Sequence, residues 1–188
     1  VALEILHANG IYDVEVKEGQ GCLTDHYDPK NKVVVLSPAN YSRPSVAGTA
    51  IAAHEVGHAI QDYQGYFFLR FRSALVPVAN LGSSLSYIFI MAGIVLTGLQ
   101  MAIGSTALWI GIFLMAFAVL FSIVTLPVEF DASKRAMNQI QKLNIVNEKE
   151  YKHAGRVLRA AAMTYVAATA VAVAELLRFI LIARSSDQ

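Results

Sequence analysis

The sequence predicts a mostly helical integral membrane protein with a small β element. Residues 73–128 contain no Asp, Glu, Lys, Arg or His, which makes an uncharged run of 56 residues. Apolar residues make up 55% of the 188-residue chain, more than is usual for a soluble domain. Short segments rich in valine lie before the uncharged run between Gly, Pro, Asn and Asp residues, a pattern typical of strands.

Charge and cysteine content exclude several classes of function. The formal net charge is +1, so no overall basic field favours a nucleic-acid partner. The one cysteine, Cys22, excludes an intrachain disulfide framework and a cysteine-rich zinc site. Because the chain begins at Val1 and not at methionine, we expect it to be a fragment or a processed form.

The first forty residues predict a small mixed element. The predicted segments are a short helix at 1–8, extended segments at 11–16 and 21–27, and a strand at 33–36. Asn9 and Gly10 should end the helix because both tolerate a left-handed backbone, and Pro38 should end the strand.

A longer helix is predicted over residues 43–63. Hydroxyl residues flank Pro44 in the Ser-Arg-Pro-Ser segment at 42–45, which is typical of a helix start, and Gly65 supplies a stop. The second half of this helix carries the pentapeptide His-Glu-Val-Gly-His at 54–58, among several small residues. The valine-rich strand upstream suggests a sheet edge that pairs with an extended peptide.

The uncharged run is too long for one membrane span. A helix needs about 20 residues to cross roughly 30 Å of hydrocarbon. Two helices therefore fit, at 75–96 and 102–125, with a turn near Gly98 and Gln100. The alternative, a buried hairpin in a soluble protein, is disfavoured because soluble cores rarely contain such a long uncharged run.

Flanking charges predict the orientation of this hairpin. The two ends of the hairpin lie at one membrane face and are flanked by basic residues, namely Arg70, Arg72, Lys134, Arg135 and Lys142. The connecting loop, at the opposite face, has no Lys or Arg. The positive-inside rule then predicts a multi-pass protein of the cell membrane, with the charged side in the cytoplasm.

After the hairpin, a helix is predicted to begin behind Pro127 and to run through Glu129 to about residue 143. Residues 144–147 should break it, and a further helix should cover 148–159. Residues 160–183 predict either a third span or a helix that packs flat on the bundle, with Glu175 and Arg178 paired at i, i+3. The predicted divisions of the chain are 1–72, 73–126, 127–159 and 160–188.

The motif at 54–58 has the spacing of a helical zinc site. Residues four apart lie on one face of a helix, so His54 and His58 can direct ring nitrogens at one Zn²⁺ ion. Glu55 lies on the neighbouring stripe, where a general base for a zinc-activated water is needed. The alternative is an ordinary polar helix face.

Catalytic zinc usually has three protein ligands and one open position. Glu129, directly after the second predicted span, is the preferred third ligand, although a carboxylate there would also suit a helix N-terminus. His26 and His153 are rival third ligands. Insertion of the hairpin would bring the two halves of the metal site to the same membrane face.

Two supporting roles stay open at this stage. Asp131 or Asp62 is a candidate partner for the second nitrogen of a ligating histidine. Tyr165, Arg159 or His153 is a candidate stabiliser of the oxyanion.

With these residues the chain resembles the bacterial YugP-type neutral zinc metallopeptidases. The segments that carry the resemblance are 54–61, 23–29, 126–133 and 158–166, and it covers essentially the whole chain. It implies a membrane-anchored zincin of the gluzincin-like type, with His54, His58 and Glu129 as zinc ligands and Glu55 as the catalytic glutamate. The family usually has an N-terminal membrane anchor before this region.

The chain is also similar, more distantly, to HtpX-type heat-shock proteases and CAAX prenyl proteases. Those relatives usually place an aspartate four residues after the ligand glutamate, whereas this chain has Ser133 there. The sequence therefore departs from the wider pattern at the position next to the predicted metal site.

The leading functional hypothesis is a zinc endopeptidase that cleaves peptide bonds of membrane or membrane-proximal proteins. The partners it implies are a peptide or protein substrate and a lipid bilayer. The alternatives are an intramembrane protease and a non-catalytic membrane scaffold stabilised by zinc. Neither the cleavage preference nor the oligomeric state follows from the sequence.

Overall fold

The computed structural model describes residues 1–186 and confirms a mostly helical chain with a small sheet. Its elements, in chain order, are α1 (Ala2–Ala8), β1 (Glu15–Glu18), β2 (His26–Asp28), β3 (Val33–Leu36), α2 (Pro38–Ser42), α3 (Val46–Tyr63), α4 (Phe67–Gly98), α5 (Ile103–Lys142) and α6 (Glu148–Ser186). They form two compact units. The first unit contains Val1–Arg70 and Pro127–Thr164, and the second contains Phe71–Leu126 and the residues of α6 from Tyr165 onward.

The sheet of the first unit has the strand order β1-β3-β2. Strand β3 pairs with β1 in parallel and with β2 antiparallel, so Val34 lies between Val16 and Tyr27. The valine-rich strand is therefore the central strand, and the expectation that it forms an edge for an extended peptide is wrong. Both edges of β3 are paired, and Val34 is buried in the core that the sheet shares with α1 and α3.

Helix α3 lies against α1 and the sheet through a row of small and aliphatic residues. The core of the first unit includes Leu6, Val34, Ala53 and Val56, all of which are fully buried. Because Ala53 and Val56 fix the buried side of α3, the face that carries the two histidines is fixed as well.

The start of α3 differs from the prediction. The helix begins at Val46 with Ser45 as its N-cap, and the Ser45 hydroxyl accepts a hydrogen bond from the Gly48 amide at 2.9 Å. Arg43 is extended (φ −104°, ψ 125°) because a residue before proline disfavours helical backbone. The predicted start at residue 43 is therefore wrong, and the short helix α2 before it was not predicted.

The second unit contains the hairpin. The predicted spans at 75–96 and 102–125 lie within α4 and α5, and the third predicted span at 160–183 lies within α6. All three helices are long and apolar enough to cross a membrane. Close contact within the hairpin depends on glycine, since a methyl group at Gly93 would lie 2.5 Å from the Leu108 amide nitrogen.

Pro127 lies inside α5 and does not begin a new helix. The prediction that Glu129 opens a helix behind it is wrong, because α5 continues from Ile103 to Lys142. Helix α4 likewise contains Pro77. Helices in apolar surroundings tolerate proline because an interrupted helix would leave further backbone groups without hydrogen-bond partners.

Helix α6 is also continuous where two segments were expected to meet near residue 159. The predicted i, i+3 pair is confirmed, with 3.6 Å between Arg178 and Glu175. Tyr87 of α4 donates a hydrogen bond to the same glutamate. This small polar cluster ties α4 to α6 within the second unit.

Candidate metal centre

The centre forms where α3 crosses the second half of α5. A methyl group at Gly57 would lie 2.6 Å from the carbonyl oxygen of Ala132, so only glycine permits this approach of the two backbones. His54 and His58 lie three residues before and one residue after Gly57. Glu129 and Ser133 have the same positions relative to Ala132, so helical periodicity brings both pairs to the crossing.

Three side chains converge there. His54 Nε2 lies 3.2 Å from Glu129 Oε2, and His58 Nε2 lies 3.7 Å from the same oxygen. The ring centroids are 4.8 Å apart at an interplanar angle of 84°. All three ligand atoms lie within 4.8 Å of one another, which brings together two imidazole nitrogens and a carboxylate oxygen.

This donor set fits a zinc ion. Two histidines and one glutamate are a known ligand combination of catalytic zinc, which keeps a further position open for water or substrate. His58 and Glu129 are buried, and the His54 side chain is 16% exposed. The three side chains are therefore largely enclosed, and His54 is the most accessible of them.

Glu55 lies on α3 between the two histidines in sequence and is buried. Removal of the carboxyl group from water raises the pKa of Glu55, an effect opposed by the neighbouring rings of His58 and His54. The charges of Glu129 and Asp25 raise it further. A carboxylate whose pKa is raised holds a proton more readily, which suits a general base.

The second nitrogen of each histidine has a hydrogen-bond partner. His58 Nδ1 lies 3.0 Å from Gln61 Oε1, and His54 Nδ1 lies 3.2 Å from Ser133 Oγ. Both rings are therefore held so that Nε2 faces Glu129. Sequence reasoning missed both partners, although Gln61 lies one turn after His58 and Ser133 had been identified as a departure from the wider pattern.

The two aspartates proposed for this role lie elsewhere. Asp131 accepts a hydrogen bond from Gln61 Nε2 at 2.8 Å and so lies one step further from His58. Asp62 accepts hydrogen bonds from the Tyr27 hydroxyl at 2.7 Å and from Lys32 Nζ at 2.6 Å. The prediction that either of them supports a histidine directly is not met by these contacts.

The rival ligands lie outside the cluster. His26 is exposed at the start of β2, with Nδ1 2.7 Å from the Thr24 carbonyl, and His153 is exposed on α6. Among the residues that the structure describes, neither contributes a ligand atom to the group around Glu129. Arg159 is also exposed on α6, and Tyr165 belongs to the second unit, so the oxyanion stabiliser stays a prediction.

Comparison with known proteins agrees with a zinc site in this protein. Residues 1–184 match the sequence model of a family described as putative neutral zinc metallopeptidase. The chain is 42% identical over 181 residues to the Putative membrane protease YugP of Bacillus subtilis (strain 168), covering 96% of this chain and 78% of that protein. No solved structure matches the chain.

The family match covers almost all of the sequence, and it includes both α3 and the second half of α5. The zinc in the family's description is the metal that the donor set of His54, His58 and Glu129 fits. The chain belongs to the putative neutral zinc metallopeptidase family, as its sequence resemblance had indicated.

Proposed function

We propose that the protein is a zinc-dependent endopeptidase that hydrolyses peptide bonds of membrane or membrane-proximal proteins. His54, His58 and Glu129 would hold the zinc, and Glu55 would be the general base. The observation that carries this proposal is the convergence of the three ligand atoms within 4.8 Å, beside a buried carboxyl group.

A bound zinc ion supplies Lewis acidity, which polarises a carbonyl group and makes a water molecule more acidic. The protein supplies the proton transfers. Glu55 would accept a proton from the attacking water on its carboxylate and then donate that proton to the nitrogen of the leaving amine. The position of Glu55, between the two histidines in sequence and on the neighbouring stripe of α3, supports this role.

The proposed substrates follow from the predicted placement of the chain. Three apolar helices favour a bilayer environment, so substrates would be proteins in the membrane or close to it. The loop between α4 and α5, residues 99–102, has no Lys or Arg, whereas Arg70, Arg72 and Lys134 lie beyond the uncharged run. This asymmetry supports a catalytic site on the cytoplasmic side.

Glu55→Gln tests the mechanism. The substitution preserves side-chain size but removes the proton acceptor, so we expect normal zinc content and a rate of hydrolysis lowered by about 10²-fold or more. The measurement combines zinc analysis with cleavage of a quenched-fluorescent peptide library by protein purified in detergent. Glu148→Gln, on the exposed start of α6, is the matched control and should retain full activity.

The alternatives give different results in the same experiment. Equal activity of the wild type and Glu55→Gln would contradict the proposed base. A wild type that binds zinc but cleaves nothing, in detergent or in vesicles, would favour the zinc-stabilised scaffold. Cleavage only of substrates whose scissile bond lies within the bilayer would favour the intramembrane protease.

A further inference from the structure

Gln61 is a fully buried amide one turn after His58 on α3, with 0% exposure. A buried amide requires hydrogen-bond partners for its oxygen and for its nitrogen, because unpaired groups there cost free energy. The partners of Gln61 lie on both helices that carry the candidate ligands, His58 on α3 and Val128 and Asp131 on α5. They therefore connect this side chain with the geometry of the ligands.

The partners fix the orientation of the amide. Gln61 Nε2 lies 2.8 Å from the Val128 carbonyl oxygen and 2.8 Å from Asp131 Oδ2. A carbonyl oxygen only accepts, and Asp131 Oδ2 also accepts from Arg135, so the NH₂ group must face these two atoms. The amide oxygen Oε1 is thereby directed at His58 Nδ1, 3.0 Å away.

The orientation of the amide determines which nitrogen of His58 is available to a metal. Because Oε1 only accepts, the proton of the hydrogen bond belongs to His58 Nδ1. A neutral imidazole has one N–H group, so Nε2 then carries the lone pair. Nε2 is the atom that faces Glu129, at 3.7 Å.

We propose, on the basis of the proposed zinc site, that Gln61 is a positioning residue that holds His58 with Nδ1 protonated and Nε2 available to the metal. Its amide nitrogen bonds to Val128, the residue before Glu129 in the sequence, and so also connects α3 to the segment of α5 that carries the third ligand. One side chain thus sets the ring of one ligand and the backbone beside another.

Gln61→Leu tests this role, because leucine has a similar size but no polar atoms. We expect zinc affinity, measured by competition with a chelator, to fall by about 10–100-fold relative to the wild type. Gln139→Leu is the matched control. Gln139 is a half-buried glutamine of the first unit that donates to Asn9 at 3.2 Å, so its loss should change zinc affinity by less than about twofold.

A second measurement separates positioning from packing and needs no folded Gln61 variant. In ¹⁵N NMR spectra of the zinc-loaded wild type with labelled histidine, we expect the His58 ring to carry its proton on Nδ1 and zinc on Nε2. The His58 resonances are assigned by through-bond correlation of the ring with the backbone of His58, which leaves the metal centre intact. Zinc on Nδ1 would be incompatible with the hydrogen bond from that nitrogen to Gln61 Oε1, so this spectrum can contradict the proposed role directly.

Two results would overturn the role of Gln61 alone: zinc bound through His58 Nδ1, or Gln61→Leu with zinc affinity within about twofold of the wild type. A wild-type protein that binds no zinc would instead overturn the proposed function, and the role of Gln61 with it. The two failures are therefore distinguishable.

Discussion

Two helix contacts in this protein depend on glycine and serve different ends. In the first unit, Gly57 on α3 lies against the Ala132 backbone, and the polar residues one turn away on each helix meet at the crossing. In the second unit, Gly93 on α4 lies against Leu108, and the neighbouring core residues are apolar, such as Ile90, Ile112 and Met115. Close backbone contact is thus common to both, and the flanking side chains decide whether it builds a site or only packs helices.

Gly57→Ala should give the largest effect on the first contact. The added methyl group would lie 2.6 Å from the Ala132 carbonyl oxygen, so the backbone of α3 or of α5 must move to relieve that overlap. We expect a loss of about 1–3 kcal/mol in the free energy of unfolding. Zinc affinity should fall more than about tenfold, because both histidines move with α3. Thermal unfolding and chelator competition measure the two effects.

The control for Gly57→Ala is Gly155→Ala in α6. The added methyl group there would meet only the flexible end of Met137, at 3.3 Å, so it should be tolerated. Unchanged zinc affinity in Gly57→Ala would contradict the claim that the close crossing assembles the site.

Gly93→Ala should destabilise the second contact without affecting metal binding. Its methyl group would lie 2.5 Å from the Leu108 amide nitrogen, so we expect a loss of about 1–3 kcal/mol in stability in detergent. Zinc affinity should change by less than about threefold, since no ligand lies on these segments. Gly98→Ala, which meets no atom within 4 Å, is the matched control. A large loss of zinc affinity in Gly93→Ala would remove the distinction between the two contacts.

Ser133→Ala should lower zinc affinity less than Gly57→Ala and should leave the free energy of unfolding almost unchanged, so it is the mildest test of the first contact. His54 would lose the hydrogen-bond partner of Nδ1, which lies at 3.2 Å, but the ring is partly exposed and water can replace the hydroxyl group. We expect zinc affinity to fall by about tenfold, the lower end for such partners. Ser133→Asp introduces the residue usual in the more distant relatives and should restore or exceed wild-type affinity. If neither substitution changes zinc affinity, Ser133 does not orient His54.

The sequence predicted the features that depend on local pattern. The length of the uncharged run located the helices of the hairpin. The four-residue spacing of His54 and His58 placed them on one face of a helix, and the family resemblance supported Glu129 as the third ligand. The structure brings these three residues together, and their role as zinc ligands stays a prediction. Strand β3 was also predicted with its observed limits, because turn residues flank a short aliphatic run.

The features that sequence reasoning missed depend on long-range contacts. The hydrogen bonds of Gln61 and Ser133 exist only because α3 and α5 cross closely at Gly57, and no local pattern encodes that crossing. The continuity of α5 through Pro127 was missed because proline is a reliable helix breaker only where water can satisfy the freed backbone groups.

Zinc content of Glu129→Ala, compared with Glu148→Ala, tests the central claim most directly. Both substitutions remove one glutamate, but Glu129 is buried beside two imidazoles and Glu148 is exposed at the start of α6. After dialysis against a weak chelator, we predict that Glu148→Ala retains the zinc of the wild type and that Glu129→Ala loses it. Equal zinc in both proteins would contradict a metal centre shared by α3 and α5.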